Sequence, residues 1–264
     1  MPTDTDYCID LNVDIGEGFG PWRLGQDAAV LEWVTSANIA CGCHAGDPDV
    51  MAETVQLALA HGVALGAHPS LPDRQGFGRR TMGLAPKELE HLVLYQLGAL
   101  EAFVRTAGGH LAHVKPHGAL YHQAAADPEQ AQAIATAVRA FDPSLILIGP
   151  PGSALLHAAA AAGLGYACEG FADRRYEPDG TLTPRRHPQS LIQDPAEALS
   201  QALRLIVHGE VIARDGTLVK LHVDTLCIHG DSPQAPAYAR ALRQGLGAQG
   251  IGFRPVAGPR ARRP

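Results

Sequence analysis

Asp10-Leu11-Asn12-Val13-Asp14-Ile15-Gly16-Glu17 alternates polar and apolar residues and ends in glycine and a carboxylate. The same kind of ending recurs along the chain. Ser36-Ala37-Asn38-Ile39-Ala40-Cys41-Gly42-Cys43-His44-Ala45-Gly46-Asp47 follows the second apolar run, and Gly66-Ala67-His68-Pro69-Ser70 the third. His113-Val114-Lys115-Pro116-His117-Gly118 and Ile228-His229-Gly230-Asp231 close two more. If the runs are parallel strands, these clusters share one end of the sheet. That is the end at which open α/β sheets and (β/α) barrels place their active sites.

The remaining chain supports this reading. Strand-like runs occur at about 7–13, 34–39, 63–67, 111–115, 145–149, 164–168 and 224–228. Helix-like stretches separate most of them: Met51 to His61, Pro86 to Ala107, Pro128 to Phe141, Ser153 to Ala162, Pro195 to His208 and Ala235 to Ala248. Asp127 and Ser153 stand where N-caps belong, and Pro86, Pro128 and Pro195 stand at first helical positions. Strand and helix alternating in this way predict a parallel sheet closed, or nearly closed, into a barrel. Segments 69–85 and 170–194 break the alternation. Both are long and polar and follow strand ends, which suits loops that overhang a site.

The 264 residues read as one domain, 1–264, with a core of about 7–255 and a basic tail over 259–264 that reads as a frayed terminus. Net charge is −6 and no basic stripe appears, so nucleic acid is not an expected partner. No run is long and apolar enough for a membrane span. The N-terminal segment lacks the basic and apolar regions of a signal peptide, and the five cysteines lack framework spacing. A cytoplasmic protein with reduced thiols is the expectation.

Asn12 and Asp14 lie on one face of an extended strand, with Glu17 just beyond. Neighbouring carboxylates that differ in environment suit acid and base work. His44 sits among glycines, which permit close approach of backbone to a ligand. Asp47, directly before Pro48, reads equally well as a helix N-cap. Asp14, His44 and His68 would converge from neighbouring strands, a set suited to a divalent metal or to proton transfer. Lysine is scarce, at three residues against 18 arginines. A lysine at position 115, inside the densest polar cluster, therefore suggests a need for a compact ammonium. Arg79-Arg80 and Arg174-Arg175 lie in the two long loops and suit an anionic substrate or a phosphate. No P-loop, dinucleotide fingerprint or G-x-S-x-G elbow is present.

Together these motifs resemble the LamB/YcsF family of 5-oxoprolinase A subunits. The resemblance also includes Thr35 through Met51, Gly76-Phe77-Gly78-Arg79, Glu169-Gly170-Phe171-Ala172-Asp173-Arg174 and Thr225 through Asp231, and it runs from about 7 to 255. Cys43 stands where an aromatic is usual. Gln189-Ser190 replaces an expected Gly-Ala pair, which leaves the path of the second loop open. The resemblance implies a seven-stranded TIM-like (β/α) barrel related to the glycoside hydrolase and deacetylase barrels. It implies ATP-dependent hydrolysis of 5-oxo-L-proline to L-glutamate, ADP and phosphate, shared with partner subunits B and C. The nucleotide would then sit on, or be shared with, those partners.

On these grounds Asp14, Glu17, His44, His68, Lys115 and His117 are the catalytic candidates. Asn12, Asn38, Asp47, Asp73, Arg79, Glu169, Asp173, Arg174 and His229 are candidate substrate contacts. Asp14 or His44 would deprotonate water, Lys115 and His68 would stabilise negative charge, and Arg79 or Arg174 would hold an anion. Two other readings stay open at this point. One is an ATP-independent amide or acetyl hydrolase with a metal on Asp14, His44 and His68. The other is a non-catalytic subunit that binds oxoproline.

Overall fold

The computed structural model describes residues 7–230 and 234–256, with the side chain of His229 left aside. The elements in order are β1 (Cys8–Ile15), α1 (Asp27–Leu31), β2 (Ser36–Ala40), α2 (Pro48–Ala60), β3 (Ala64–His68), α3 (Pro86–Thr106), β4 (Leu111–Val114), α4 (Gly118–Ala126), α5 (Pro128–Phe141), β5 (Ile146–Gly149), α6 (Ala154–Ala161), β6 (Gly165–Phe171), α7 (Pro195–Leu203), β7 (Glu210–Ile212), β8 (Leu218–Lys220), β9 (Thr225–His229), α8 (Ala235–Ala248) and β10 (Gly252–Phe253). A π-helical turn, Arg204–His208, extends α7. No described helix is long and apolar enough to cross a membrane.

Strands β1, β2, β3, β4, β5, β6 and β9 pair in that order, all parallel, and β9 returns to β1 to close a seven-stranded barrel. Each strand-like run of the sequence becomes one of these strands. β1 continues to Ile15 and β6 to Phe171, beyond the expected ends. Polar residues do not end a strand here, because this barrel takes polar side chains inside. The elements that the sequence pattern does not predict, α1, α4, β10 and the antiparallel β7–β8 hairpin, are mostly too short to display a period.

The alternation in β1 explains the layering. Leu11, Val13 and Ile15 point outward and join one large apolar cluster with residues such as Ile39, Val55, Leu65, Val93 and Leu97 from neighbouring strands and helices. Asp10 and Asn12 point inward and are buried with Ser36, Asn38, His113, Glu169 and Thr225. Buried polar groups need partners, and these residues have them, although His113 Nδ1 and Glu169 Oε2 are left without one among the described residues. Asp10 accepts from the hydroxyls of Thr35 and Ser36 at 2.6 Å each, and also from Thr225. Asn12 donates to Thr225 at 2.7 Å and to Glu169 at 3.0 Å. A separate apolar group, Ile146, Ile148 and Ala167, fills another part of the barrel with Val256 against it.

His113 packs directly over Gly66 of the adjoining strand, and a Cβ there would lie 1.9 Å from its Nε2. Only glycine leaves room for the ring. Gly66→Ala should therefore displace His113 and cost about 2–4 kcal/mol in urea unfolding. A change below about 0.5 kcal/mol would contradict this packing.

Burial raises the Asp10 carboxyl from 3.8 to about 6, against the lowering effect of its three hydroxyl donors. A raised folded value means that Asp10 contributes most when protonated. That contribution is complete below about pH 4 and is lost as pH rises through about 6. Asp10→Asn should flatten the fall in unfolding free energy between pH 4 and 7 by on the order of 2–3 kcal/mol. Urea titrations at several pH values read the slope, and an unchanged slope would contradict it.

Candidate active site

The C-terminal ends of the barrel strands and the loops beyond them enclose a cavity of about 440 Å³. Asp14, Glu17, His68, Arg79, Lys115, His117, Glu169 and Arg174 line it, together with Tyr121, His122, Phe171, Thr183 and Arg185. The clusters that are far apart in the chain therefore meet, as the parallel-strand reading requires.

Lys115 follows β4 and extends its side chain into the barrel. Its Nζ lies 2.7 Å from Glu169 Oε1, 3.0 Å from Asp14 Oδ1, 3.2 Å from Asn12 Oδ1 and 3.1 Å from Cys227 Sγ. Burial by itself would lower its pKa, but Asp14 and Glu169 outweigh burial and hold the ammonium well above its ordinary value. Burial keeps the Cys227 thiol protonated, its pKa well above the usual range. Asn38 donates to Asn12 Oδ1 at 2.7 Å and to Asp14 Oδ1 at 2.9 Å. With the Asn38 carbonyl turned toward it, His113 Nε2 donates to that oxygen at 2.8 Å. Lys115 and Asn38 thus converge on one oxygen of Asp14. The other, Oδ2, lies 3.4 Å from His68 Nε2.

The histidines form a second layer at the cavity wall. His68 Nδ1 lies 2.6 Å from the Lys115 carbonyl, and His117 Nε2 lies 2.9 Å from the Phe77 carbonyl. Their other nitrogens, His68 Nε2 and His117 Nδ1, face each other at 3.0 Å. His44 stacks on His117, with centroids 3.8 Å apart and planes 4° from parallel, and its Nε2 meets Glu17 Oε1 at 3.2 Å. Burial, then the neighbouring His117 and His68, lowers the His44 pKa well below its ordinary value. Burial first, then His68, lowers His117 to about 3. Burial first, then Lys115, lowers His113 to about 3 as well. These three rings are neutral near pH 7 and offer lone pairs.

The first long loop supplies the ceiling. Gln96 of α3, fully buried, accepts from Ser70 N at 2.8 Å and donates to Ser70 O at 2.9 Å. Asp73 closes the turn by accepting from Gly76 N at 3.0 Å and from Arg80 Nε at 2.9 Å. Phe77 takes φ +55°, a conformation that costs a non-glycine residue about 1–3 kcal/mol. The turn aims its carbonyl at His117 and sets its ring edge-on to His44 and His117. Gly78, at φ +63°, touches the same ring pair, and a Cβ there would lie 2.9 Å from both His117 and His44. The second loop is held by Arg174, which donates to the carbonyls of Thr183 at 2.7 Å and Ser190 at 3.4 Å.

The sequence candidates for catalysis, Asp14, Glu17, His44, His68, Lys115 and His117, lie together, and all but His44 line the cavity. Of the candidate substrate contacts, Arg79, Glu169 and Arg174 line it. Asn12 and Asn38 lie below it in the barrel and orient Lys115 and Asp14. Asp47 belongs elsewhere. It caps α2 through Asp49 N and Val50 N and accepts from Gly20 N, so the N-cap reading holds. Asp73 is committed to its own turn and Arg80, and neither it nor Asp173 is part of the cavity wall. The side chain of His229 and the segments 231–233 and 257–264 lie outside the described residues. Asp14 and His68 converge as expected for a ligand set, but His117 rather than His44 completes a group with ligand spacing. Sequence reasoning missed His113, Tyr121 and Phe77. Period-two spacing from Lys115 was the available sign for His113, and one helical turn beyond His117 the sign for Tyr121.

Removing a buried ammonium leaves its partner carboxylates uncompensated. Lys115→Met should destabilise the chain by about 3–5 kcal/mol, and adding Glu169→Gln should recover part of that loss. A double-mutant cycle in urea measures the coupling, and purely additive effects would refute the pair.

The LamB/YcsF family model matches residues 9–261. The A subunit of 5-oxoprolinase from Methylococcus capsulatus is 69% identical over 243 residues, covering 92% of this chain and 94% of that protein. Its counterpart of the same name from Bordetella pertussis is 55% identical, covering 92% of this chain and 97% of that protein. The crystal structure of a lactam utilization protein from Thermus thermophilus superposes with a TM-score of 0.89 at 50% identity, covering 93% of this chain and 98% of that one. With a closed barrel, the motif residues gathered at one end and these matches over most of its length, the chain belongs to the LamB/YcsF family.

Proposed function

We propose that this chain is the A subunit of an ATP-dependent 5-oxoprolinase, acting with B and C subunits to open 5-oxo-L-proline to L-glutamate with release of ADP and phosphate. The observation that carries this reading is the convergence of Asp14, Glu17, His68 and His117 on a cavity of about 440 Å³, with ample room for a small cyclic amide. The names of the relatives support the same substrate class.

A lactam carbonyl is a poor electrophile, and phosphorylation of its oxygen by ATP corrects this. The γ-phosphoryl group passes to the lactam oxygen and ADP leaves. The chain carries no P-loop, which is consistent with a nucleotide site on, or shared with, the partner subunits. Water then adds to the activated carbon beside Asp14, His68 and His117. Glu17, oriented by His44 at 3.2 Å, takes the proton and returns it to the ring nitrogen as the C–N bond breaks. The product is an acyl phosphate with a free amine. A second water cleaves it to phosphate and the glutamate side-chain carboxylate. Arg79 and Arg185 at the cavity wall hold the anionic groups of substrate and phosphate. Lys115 is buried and acts through Asp14, whose oxygen it holds in place.

Glutamate release from 5-oxoproline tests the reading. Turnover should require ATP and both partner proteins, and ATP-independent hydrolysis by this chain alone would overturn it. In the reconstituted complex, Glu17→Gln and Asp14→Asn should each lower kcat by at least about 100-fold. Full glutamate formation by either variant would remove that residue from the mechanism.

A further inference from the structure

His68 and His117 are held in a way that an ordinary hydrogen bond between neutral rings does not explain. The contacts of His68 Nδ1 with the Lys115 carbonyl and of His117 Nε2 with the Phe77 carbonyl are each made to an acceptor. A carbonyl only accepts, so each outer nitrogen carries a proton. The inner nitrogens, His68 Nε2 and His117 Nδ1, then present two lone pairs to each other at 3.0 Å. Carboxylate oxygens stand beside them, Asp14 Oδ2 at 3.4 Å from His68 Nε2 and Glu17 Oε1 at 3.5 Å from His117 Nδ1. Facing lone pairs ringed by carboxylates repel unless a cation lies between them, either a shared proton or a metal ion, and the two carboxylates beside the pair favour the more highly charged of these.

We propose that Asp14 Oδ2, His68 Nε2 and His117 Nδ1 form a binding site for one divalent transition-metal ion, open to the cavity on the side where substrate enters. Several features of the geometry agree. Two imidazoles with a carboxylate are a common donor set for such ions. Ligands about 2.1 Å from a tetrahedral ion stand roughly 3.4 Å apart, close to the separations here. Metal-bound histidines nearly always donate the outer N–H to a carbonyl or carboxylate, the arrangement both rings already have. Glu17 is the adjoining carboxylate. His44 is engaged through Nε2 with Glu17 and packs on the back of His117, while its Nδ1 is buried without a hydrogen-bond partner among the described residues. When bound, the ion would supply a Lewis acid at the wall where water meets the lactam carbon. The proposal concerns binding by this chain and stands whichever reaction the cavity performs.

The test is calorimetric titration of the full chain, stripped by chelator, with Zn²⁺, Mn²⁺ and Co²⁺ separately, together with visible absorption of the Co²⁺ form. The expected result is one ion per chain with a Kd below about 1 μM for at least one of the three, within the range of protein metal sites. His68→Gln and His117→Gln should weaken binding at least about 100-fold, and His44→Gln less than about tenfold. Circular dichroism checks that the variants are folded. Absence of stoichiometric binding of all three ions, or unchanged binding in the folded His68 and His117 variants, overturns the site. Should a variant not fold, protection of His68 and His117 in the wild-type chain from diethyl pyrocarbonate by the ion reads the same contacts, and equal modification with and without ion overturns the site too. ATP-dependent turnover without ion binding would refute the ion and leave the oxoprolinase reading intact. Ion binding without turnover in the reconstituted complex would do the reverse.

Discussion

Lys115 donates to Glu169 at 2.7 Å and to Asp14 at 3.0 Å inside a barrel whose walls are already sealed by apolar packing outside. A charge in that position must be compensated by charges of opposite sign, or it neutralises. The compensation determines much else. Glu169 must be near, and Asn12 donates to its carboxylate. Asp14 must be oriented, and Asn38 and His113 form the chain that orients it. Asp10 and Thr225 extend the same network away from the cavity. The barrel interior is therefore a hydrogen-bonded polar core, and β1 can alternate residue by residue between polar and apolar along its length.

The same network prepares the chemistry. By holding one oxygen of Asp14 through Lys115 and Asn38, it leaves the other directed at His68. Burial keeps His44 and His117 neutral, so their lone pairs are available at physiological pH. The constellation is held by a set of backbone and side-chain contacts. The Lys115 carbonyl and the Gln96 clamp come from residues buried in the fold, and the Phe77 carbonyl from a half-buried turn. Strain at Phe77 is tolerated because Asp73, Gly76 and Arg80 hold the turn on both sides.

The strands, most helices and the end of the barrel that carries the site were legible in the sequence. Apolar runs, caps such as Asp127 and Ser153, and proline at first helical positions are local signals, and local interactions suffice to produce them. Glu17, His68 and His117 stood out because rare reactive residues lie just past strand ends. Asp47 shows the limit of that reasoning. Its position beside reactive residues suggested a substrate contact, while its own backbone surroundings make it a cap. Arg174 illustrates the same limit in the second loop, where its guanidinium holds the loop's own carbonyls as well as lining the cavity.

The sequence by itself determined the alternating strand and helix order and the gathering of polar clusters at one barrel end, because periodicity and turn chemistry act over a few residues. Only the tertiary structure decided which nitrogens meet. His44, His68 and His117 come from different loops and strand ends, and their mutual distances depend on barrel closure and on the turn at Phe77. It also decided that Lys115, while lining the cavity, is held from within the barrel against Asp14 and Glu169. A side chain's partners across the barrel are set by strand register, and register belongs to the closed sheet and not to any one segment.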